Sequence, residues 1–119
     1  MWQASGSLAE TPDLALLERL REVLGDRPVT ETELRRSIEQ AEGLVRSLGA
    51  QIAGSESRLA ELTEDPDSSL TEIATELQRV DALRPRLDEA RSLLAGLETR
   101  AREVRSAWLL RQAEGPLTR

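Results

Sequence analysis

The chain has 119 residues, of which 39% are hydrophobic and 32% are charged, with a net charge of −6 and no His, Cys or Lys. This composition excludes Ser-His-Asp and Cys-His catalytic sites, Schiff-base lysines, P-loops and zinc or di-iron sites with His or thiolate ligands. Only two aromatic residues, Trp2 and Trp108, are available, so a wide globular core is not expected.

Met1 to Glu10 lack the basic stretch and apolar run of a secretory signal peptide, and no apolar run approaches membrane-spanning length. We therefore expect a soluble, acidic, cytoplasmic protein with no membrane segment. The Arg-only cations and the abundance of Ala, Leu and Glu are typical of a high-GC organism.

The first predicted helix covers about residues 12–24. Thr11 suits the N-cap, Pro12 the first helical position and Gly25 the position after the last turn. Four leucines share one face of this helix: Leu14, Leu17, Leu20 and Leu24. The sequence leaves open whether helix 1 continues along the direction of helix 2 or folds back.

The second predicted helix covers about residues 31–62. Thr30 and Glu33 form a capping box at its start. A 4-3 apolar spacing then predicts a coiled-coil seam, formed by Leu34, Ile38, Ala41, Val45, Leu48, Ile52, Ser55, Leu59 and Leu62.

The third predicted helix covers about residues 70–111, after a second capping box at Ser69 and Glu72. Its predicted seam comprises Leu70, Ile73, Leu77, Val80, Leu83, Leu87, Ala90, Leu94, Leu97, Ala101, Val104 and Trp108. Two successive three-residue steps around Val80 resemble a stammer, and Pro85 removes a backbone hydrogen bond. We therefore predict a distortion near residues 81–85 without a helix end.

Short turns between long helices favour antiparallel neighbours. The predicted fold is therefore all-α: one domain over residues 1–119, an elongated antiparallel helical hairpin with a short N-terminal third helix. We expect helix 3 to extend beyond helix 2, with Trp108, Leu109 and Leu110 contacting helix 1.

The charge is uneven, since residues 1–78 hold 16 acidic residues and 7 Arg while residues 79–119 hold 6 acidic residues and 9 Arg. We expect Arg84, Arg86 and Arg91 to pair with carboxylates of helix 2, although a phosphate-bearing or acidic partner is an alternative. Acidic residues interrupt the Arg series, so nucleic-acid binding is not expected.

One acidic segment matches five calcium-loop positions, with Asp65, Asp67, Ser69, Thr71 and Glu76 as the candidate ligands. Leu70 stands where such a loop needs Gly, so a capped, solvated turn is the favoured interpretation. We predict no metal site, no cofactor and no enzyme activity.

A second face of helix 2 carries small residues and one leucine: Gly43, Leu44, Ser47, Ala50, Gly54 and Ser57. Small residues permit close helix packing, so this face and the apolar residues Trp108, Leu109 and Leu110 are the candidate interfaces. The alternative for the small residues is a weakly helical, solvated surface or a break near Gly49.

These features favour a non-catalytic helical interaction module, a structural or adaptor protein that forms a homo-oligomer, in the simplest case a homodimer, or binds a helical protein partner. The alternative is a small regulatory protein that sequesters an enzyme or transcription factor, or that binds a small ligand in a groove between helices.

Overall fold

The computed structural model describes residues 3–25 and 28–117, with side chains at residues 13–25 and 28–114. It contains helices α1 (Gln3–Val23), α2 (Glu31–Glu64) and α3 (Leu70–Leu117), and no strand within the described residues. The molecule is elongated, with extents of 80 × 33 × 16 Å, and α2 and α3 pack as a hairpin. The predicted fold class is confirmed.

Both helices of the hairpin begin at the predicted caps. The backbone N–H of Glu33 donates to Oγ1 of Thr30 at 3.0 Å. At α3 the capping box is reciprocal: the N–H of Glu72 donates to Oγ of Ser69 at 3.1 Å, and the N–H of Ser69 donates to a Glu72 carboxylate oxygen at 3.4 Å. These bonds satisfy donors that have no partner within the first turn of a helix.

The core of the molecule lies between α2 and α3 and includes two helical turns of α1. Its buried apolar side chains are Leu17, Leu20, Val23, Leu34, Ala41, Leu44, Leu48, Ile52, Val80, Leu83, Leu87, Ala90, Leu93 and Leu97. Ion pairs from Glu31 to Arg105 (3.9 Å) and from Arg58 to Glu76 (3.4 Å) join the two ends of α2 to α3, as an antiparallel register requires.

Helix α1 folds back along the hairpin and contacts both α2 and α3. Its C-terminal end is held at the middle of α3, where the Arg100 guanidinium donates to the carbonyl oxygens of Val23 (3.4 Å) and Gly25 (2.8 Å). Leu24 lies against Gly96, where an added Cβ would stand 3.0 Å from a Leu24 methyl carbon. The absence of a side chain at Gly96 therefore allows α1 to approach α3 closely.

The helix bounds differ from the predicted ones in two places. Helix α1 begins at Gln3 and passes through Thr11 and Pro12, because proline removes one backbone hydrogen bond but its φ remains compatible with a helix. Helix α3 continues to Leu117, beyond the predicted end near residue 111, and passes through Pro85 without ending. The local distortion at residues 81–85 stays a prediction.

The folded-back position of α1 also overturns an expected contact. The last turn of α1 lies beside Gly96 and Arg100, and the leucines Leu17 and Leu20 are buried between α2 and α3. From Gly96, α3 continues ~18 Å to Trp108, away from α1. The expected packing of Trp108, Leu109 and Leu110 against helix 1 is therefore wrong.

Candidate functional site

The turn between α2 and α3 is one region of the described chain that has exposed apolar side chains. Leu70 is 83% exposed and Leu77 is 50% exposed, whereas the side chain of Glu76 is only 15% exposed. Glu76 therefore occupies the seam position predicted for Leu77. From Ile73 through Glu76 to Val80 the 3-4 spacing is then regular, so the predicted stammer is wrong.

Glu76 is accommodated in the seam by a partner from α2. One carboxylate oxygen of Glu76 lies 3.4 Å from Nε of Arg58, and Arg58 itself remains largely exposed. Ser55, one turn before Arg58, is buried and small, so it leaves room for the polar pair. A polar pair at a core position fixes register in helical assemblies, and here it also turns Leu77 outward.

We name residues 59–78 the hairpin tip. This segment holds six carboxylates and no Arg: Glu61, Glu64, Asp65, Asp67, Glu72 and Glu76. Only Glu76 forms an ion pair within the part of the chain that the structure describes. The hairpin tip thus combines exposed leucines with a strongly negative surface.

The second exposed apolar region, named the apolar end, comprises the exposed Trp108, Leu109 and Leu110 and the half-buried Val104. The α3 seam continues through Val104 to Trp108, but α2 begins at Glu31, opposite Arg105. Trp108, Leu109 and Leu110 are consequently 51%, 53% and 62% exposed. Trp108 and Leu109, but not Leu110, contribute to a groove of about 410 Å³ that is lined by Glu31, Val104, Arg105, Trp108, Leu109 and Arg111.

The apolar end is flanked by cations. Residues 104–113 contain Arg105 and Arg111 and no carboxylate. Arg105 reaches Glu31 at 3.9 Å, a long and exposed contact, and Arg111 has no ion-pair partner among the described residues. Exposed pairs of this kind contribute little to stability, so both cations remain accessible to a partner.

The residues of the small-residue face of α2 differ in their exposure. Ser47, Ala50, Gly54 and Ser57 are exposed and Gly43 is half-buried, as a surface contact would require. Leu44, however, is a core residue, and its predicted place on the interface is wrong. Leu44 belongs to the same buried cluster as Leu17 and Leu20 of α1.

The residues that match calcium-loop positions form a capped turn, the interpretation that the sequence favoured. A carboxylate oxygen of Asp65 accepts the backbone N–H of Asp67 at 2.9 Å, Ser69 caps α3, and Glu76 pairs with Arg58. Within residues 3–25 and 28–117, no cluster of three or more acidic residues is placed to hold a metal ion. The turn geometry accounts for the acidic residues near Asp65.

Two further ion pairs among the described residues connect α3 to its neighbours. Arg84, in the predicted basic group, pairs with Glu56 of α2, which confirms the expected partner for this residue. Arg21 of α1 pairs with Glu89 of α3. The hydrogen bond from Arg21 lowers the pKa of Glu89, and the same bond raises the pKa of Arg21. Each pair joins α3 to a neighbouring helix, so the carboxylates of Glu56 and Glu89 both have partners.

Comparison of the chain with protein-family models, curated proteins and solved structures finds no match. None of the described helices is long and apolar enough to cross a membrane. The geometry of the two exposed regions is therefore the basis for any functional proposal.

Sequence reasoning identified the apolar end but missed the hairpin tip. Leu70 and Leu77 were assigned to the seam because leucine at nearly regular spacing outweighs an adjacent glutamate. The sequence did contain a signal for this. When Glu76 is assigned to the seam in place of Leu77, the 3-4 spacing is regular from Ile73 to Trp108. The ion pair with Arg58 on the facing helix allows a glutamate to occupy that seam position.

Proposed function

We propose that the chain is a non-catalytic helical interaction module that assembles with further copies of itself through the apolar end. The observation that carries this proposal is the continuation of the α3 seam beyond the start of α2. Val104 and Trp108 extend the line of Leu97 and Ala101, yet the side chain of Trp108 is half exposed.

The apolar end has the composition of a binding surface. Tryptophan is enriched among the residues that contribute most to protein interfaces, and contiguous exposed apolar side chains on a soluble domain mark interaction sites. The 3-4 spacing at this end is the same spacing that joins α2 to α3, so the matching occupant is another amphipathic helix. A second copy of this chain supplies such helices.

The small-residue face remains in the proposal as a lateral surface. Ser47, Ala50, Gly54 and Ser57 are exposed, and nothing lies within 4 Å of a Cβ added at Gly54. A helix from another copy can therefore approach this part of α2 closely.

Sedimentation velocity over concentrations from ~1 μM to ~1 mM tests the proposal. The weight-average sedimentation coefficient of the wild type should rise with concentration, because a small interface gives weak, reversible association. The double variant Trp108→Ser/Leu109→Ser should stay monomeric. Leu14→Ser is the matched control, since Leu14 is similarly exposed but lies on α1.

A wild-type chain that stays monomeric and fully helical over this range would overturn the proposal. It would favour the regulatory alternative, in which the groove beside Trp108 receives a segment of another protein or a small ligand. Circular dichroism of every variant distinguishes a lost contact from a lost fold, because all three substituted residues are exposed.

A further inference from the structure

The two exposed apolar regions carry opposite charge, and we infer that copies assemble head to tail, with the hairpin tip of one copy docked on the apolar end of the next. This inference rests on the proposed function. It adds that the surface bound by the apolar end is the hairpin tip, formed by Leu70, Leu77 and the surrounding carboxylates.

The two regions cannot meet within one chain. Leu77 and Trp108 lie on the same uninterrupted helix, ~46 Å apart by helical rise. Leu70 is farther still from Trp108. Any contact between the hairpin tip and the apolar end therefore joins two copies.

Charge favours the contact of a hairpin tip with an apolar end over a contact between two ends or between two tips. Two apolar ends packed on each other would bring the cations Arg105 and Arg111 of both copies together, with Glu31 as the one carboxylate lining each groove. Two hairpin tips would oppose five carboxylates with five, since the sixth, Glu76, is paired with Arg58. Only the contact of a tip with an end brings carboxylates such as Glu61 and Glu64 towards Arg111, and like charges across an interface are costly.

A contact between two different surfaces leaves one free tip and one free end on every pair of copies. Such a heterologous contact does not close at two copies unless the geometry forms a ring. The expected assembly is therefore a series of growing species. Because the contact is partly electrostatic and exposed, salt should weaken it.

Two blocked variants test this arrangement. Leu70→Ser/Leu77→Ser blocks the hairpin tip, and Trp108→Ser/Leu109→Ser blocks the apolar end. All four residues are at least half exposed, so each variant should retain the helical fold, which circular dichroism verifies. Leu14→Ser again serves as the control for loss of an exposed leucine.

In sedimentation velocity, each blocked variant alone should stay monomeric, and an equimolar mixture should form a 1:1 complex and nothing larger. For the wild type, raising NaCl from ~0.05 M to ~0.5 M should lower the association constant several-fold.

If the wild type associates and the tip-blocked variant associates equally well, the head-to-tail inference is wrong while self-association stands. The same conclusion follows if salt strengthens association, because an apolar contact between like ends would then dominate. If the wild type does not associate at all, the proposed function itself fails.

Discussion

The carboxylate of Glu76 lies 3.4 Å from the guanidinium of Arg58 within the α2–α3 seam, one residue before an exposed leucine, Leu77. The charged side chain of Glu76 thus occupies the seam position that Leu77 would occupy if α3 were rotated by one residue. Fixing the register by a polar pair costs stability relative to an apolar core.

Replacing Glu76 by Leu should raise the free energy of unfolding by ~1–2 kcal/mol. The added apolar side chain would be buried, and the freed Arg58 is exposed enough to remain hydrated. Urea denaturation measures the change. Glu61→Leu, at an exposed position of α2, should stay within ~0.5 kcal/mol of the wild type. A destabilised Glu76→Leu variant would show that Glu76 does not occupy the core position.

The docking of α1 predicts a large difference between two of its leucines. Leu20 is 1% exposed and Leu14 is 45% exposed. Leu20→Ala should cost ~2–5 kcal/mol because it leaves a cavity between three helices, whereas Leu14→Ala should cost under ~1 kcal/mol. Equal, small effects in thermal or urea unfolding would indicate that α1 does not fold back on the hairpin.

Two glycines should respond differently to alanine. At Gly49 nothing lies within 4 Å of an added Cβ, whereas at Gly96 the Cβ meets a Leu24 methyl carbon at 3.0 Å. Gly49→Ala should stabilise the chain by ~1 kcal/mol through helix propensity. Gly96→Ala should gain clearly less, because Leu24 must move. The same gain at both positions would contradict the close approach of α1 to α3.

The seam of α2 was predictable from sequence because its 4-3 spacing is a local property of one helix. The burial of Leu44 and Leu93 beside the predicted seam residues was not, because their cluster is built from three helices and the direction of α1 is not determined by a short turn. The position of Glu76 was missed for a related reason: its partner Arg58 belongs to another helix.

The candidate site likewise has one part that the sequence predicts and one part that depends on contacts between helices. The sequence predicted Trp108, Leu109 and Leu110 as a candidate interface because the seam of helix 3 continues beyond the positions that helix 2 can cover, but it also predicted contacts between these residues and helix 1. The hairpin tip was not predicted, because Leu70 and Leu77 leave the seam only once Glu76 and Arg58 are paired. Which surfaces stay exposed is a tertiary property.

The pair between Arg21 and Glu89 predicts a dependence on pH. The pKa of Glu89 is lowered below its ordinary value of 4.5 by the hydrogen bond from Arg21. A lowered pKa in the folded state means that the stabilisation is fully present above pH 4.5 and is lost as the pH falls through the folded-state value. Glu89→Gln should therefore reduce stability at pH 7 more than at pH 3.

Thermal unfolding of both proteins at the two pH values measures this difference. Glu103→Gln serves as the control, since Glu103 is exposed and forms no ion pair within the described residues. An equal loss of stability at both pH values in Glu89→Gln would show that the pair with Arg21 does not form in solution.

The fluorescence of Trp108 as a function of protein concentration tests the central claim most directly. Replacing Trp2 by Phe leaves Trp108 as the only tryptophan of the chain, and Trp108 is half exposed in a single copy. The account predicts that the emission maximum moves to shorter wavelength as the concentration rises, because assembly removes water from the indole. An emission maximum that stays constant from dilute to concentrated protein would contradict assembly through the apolar end.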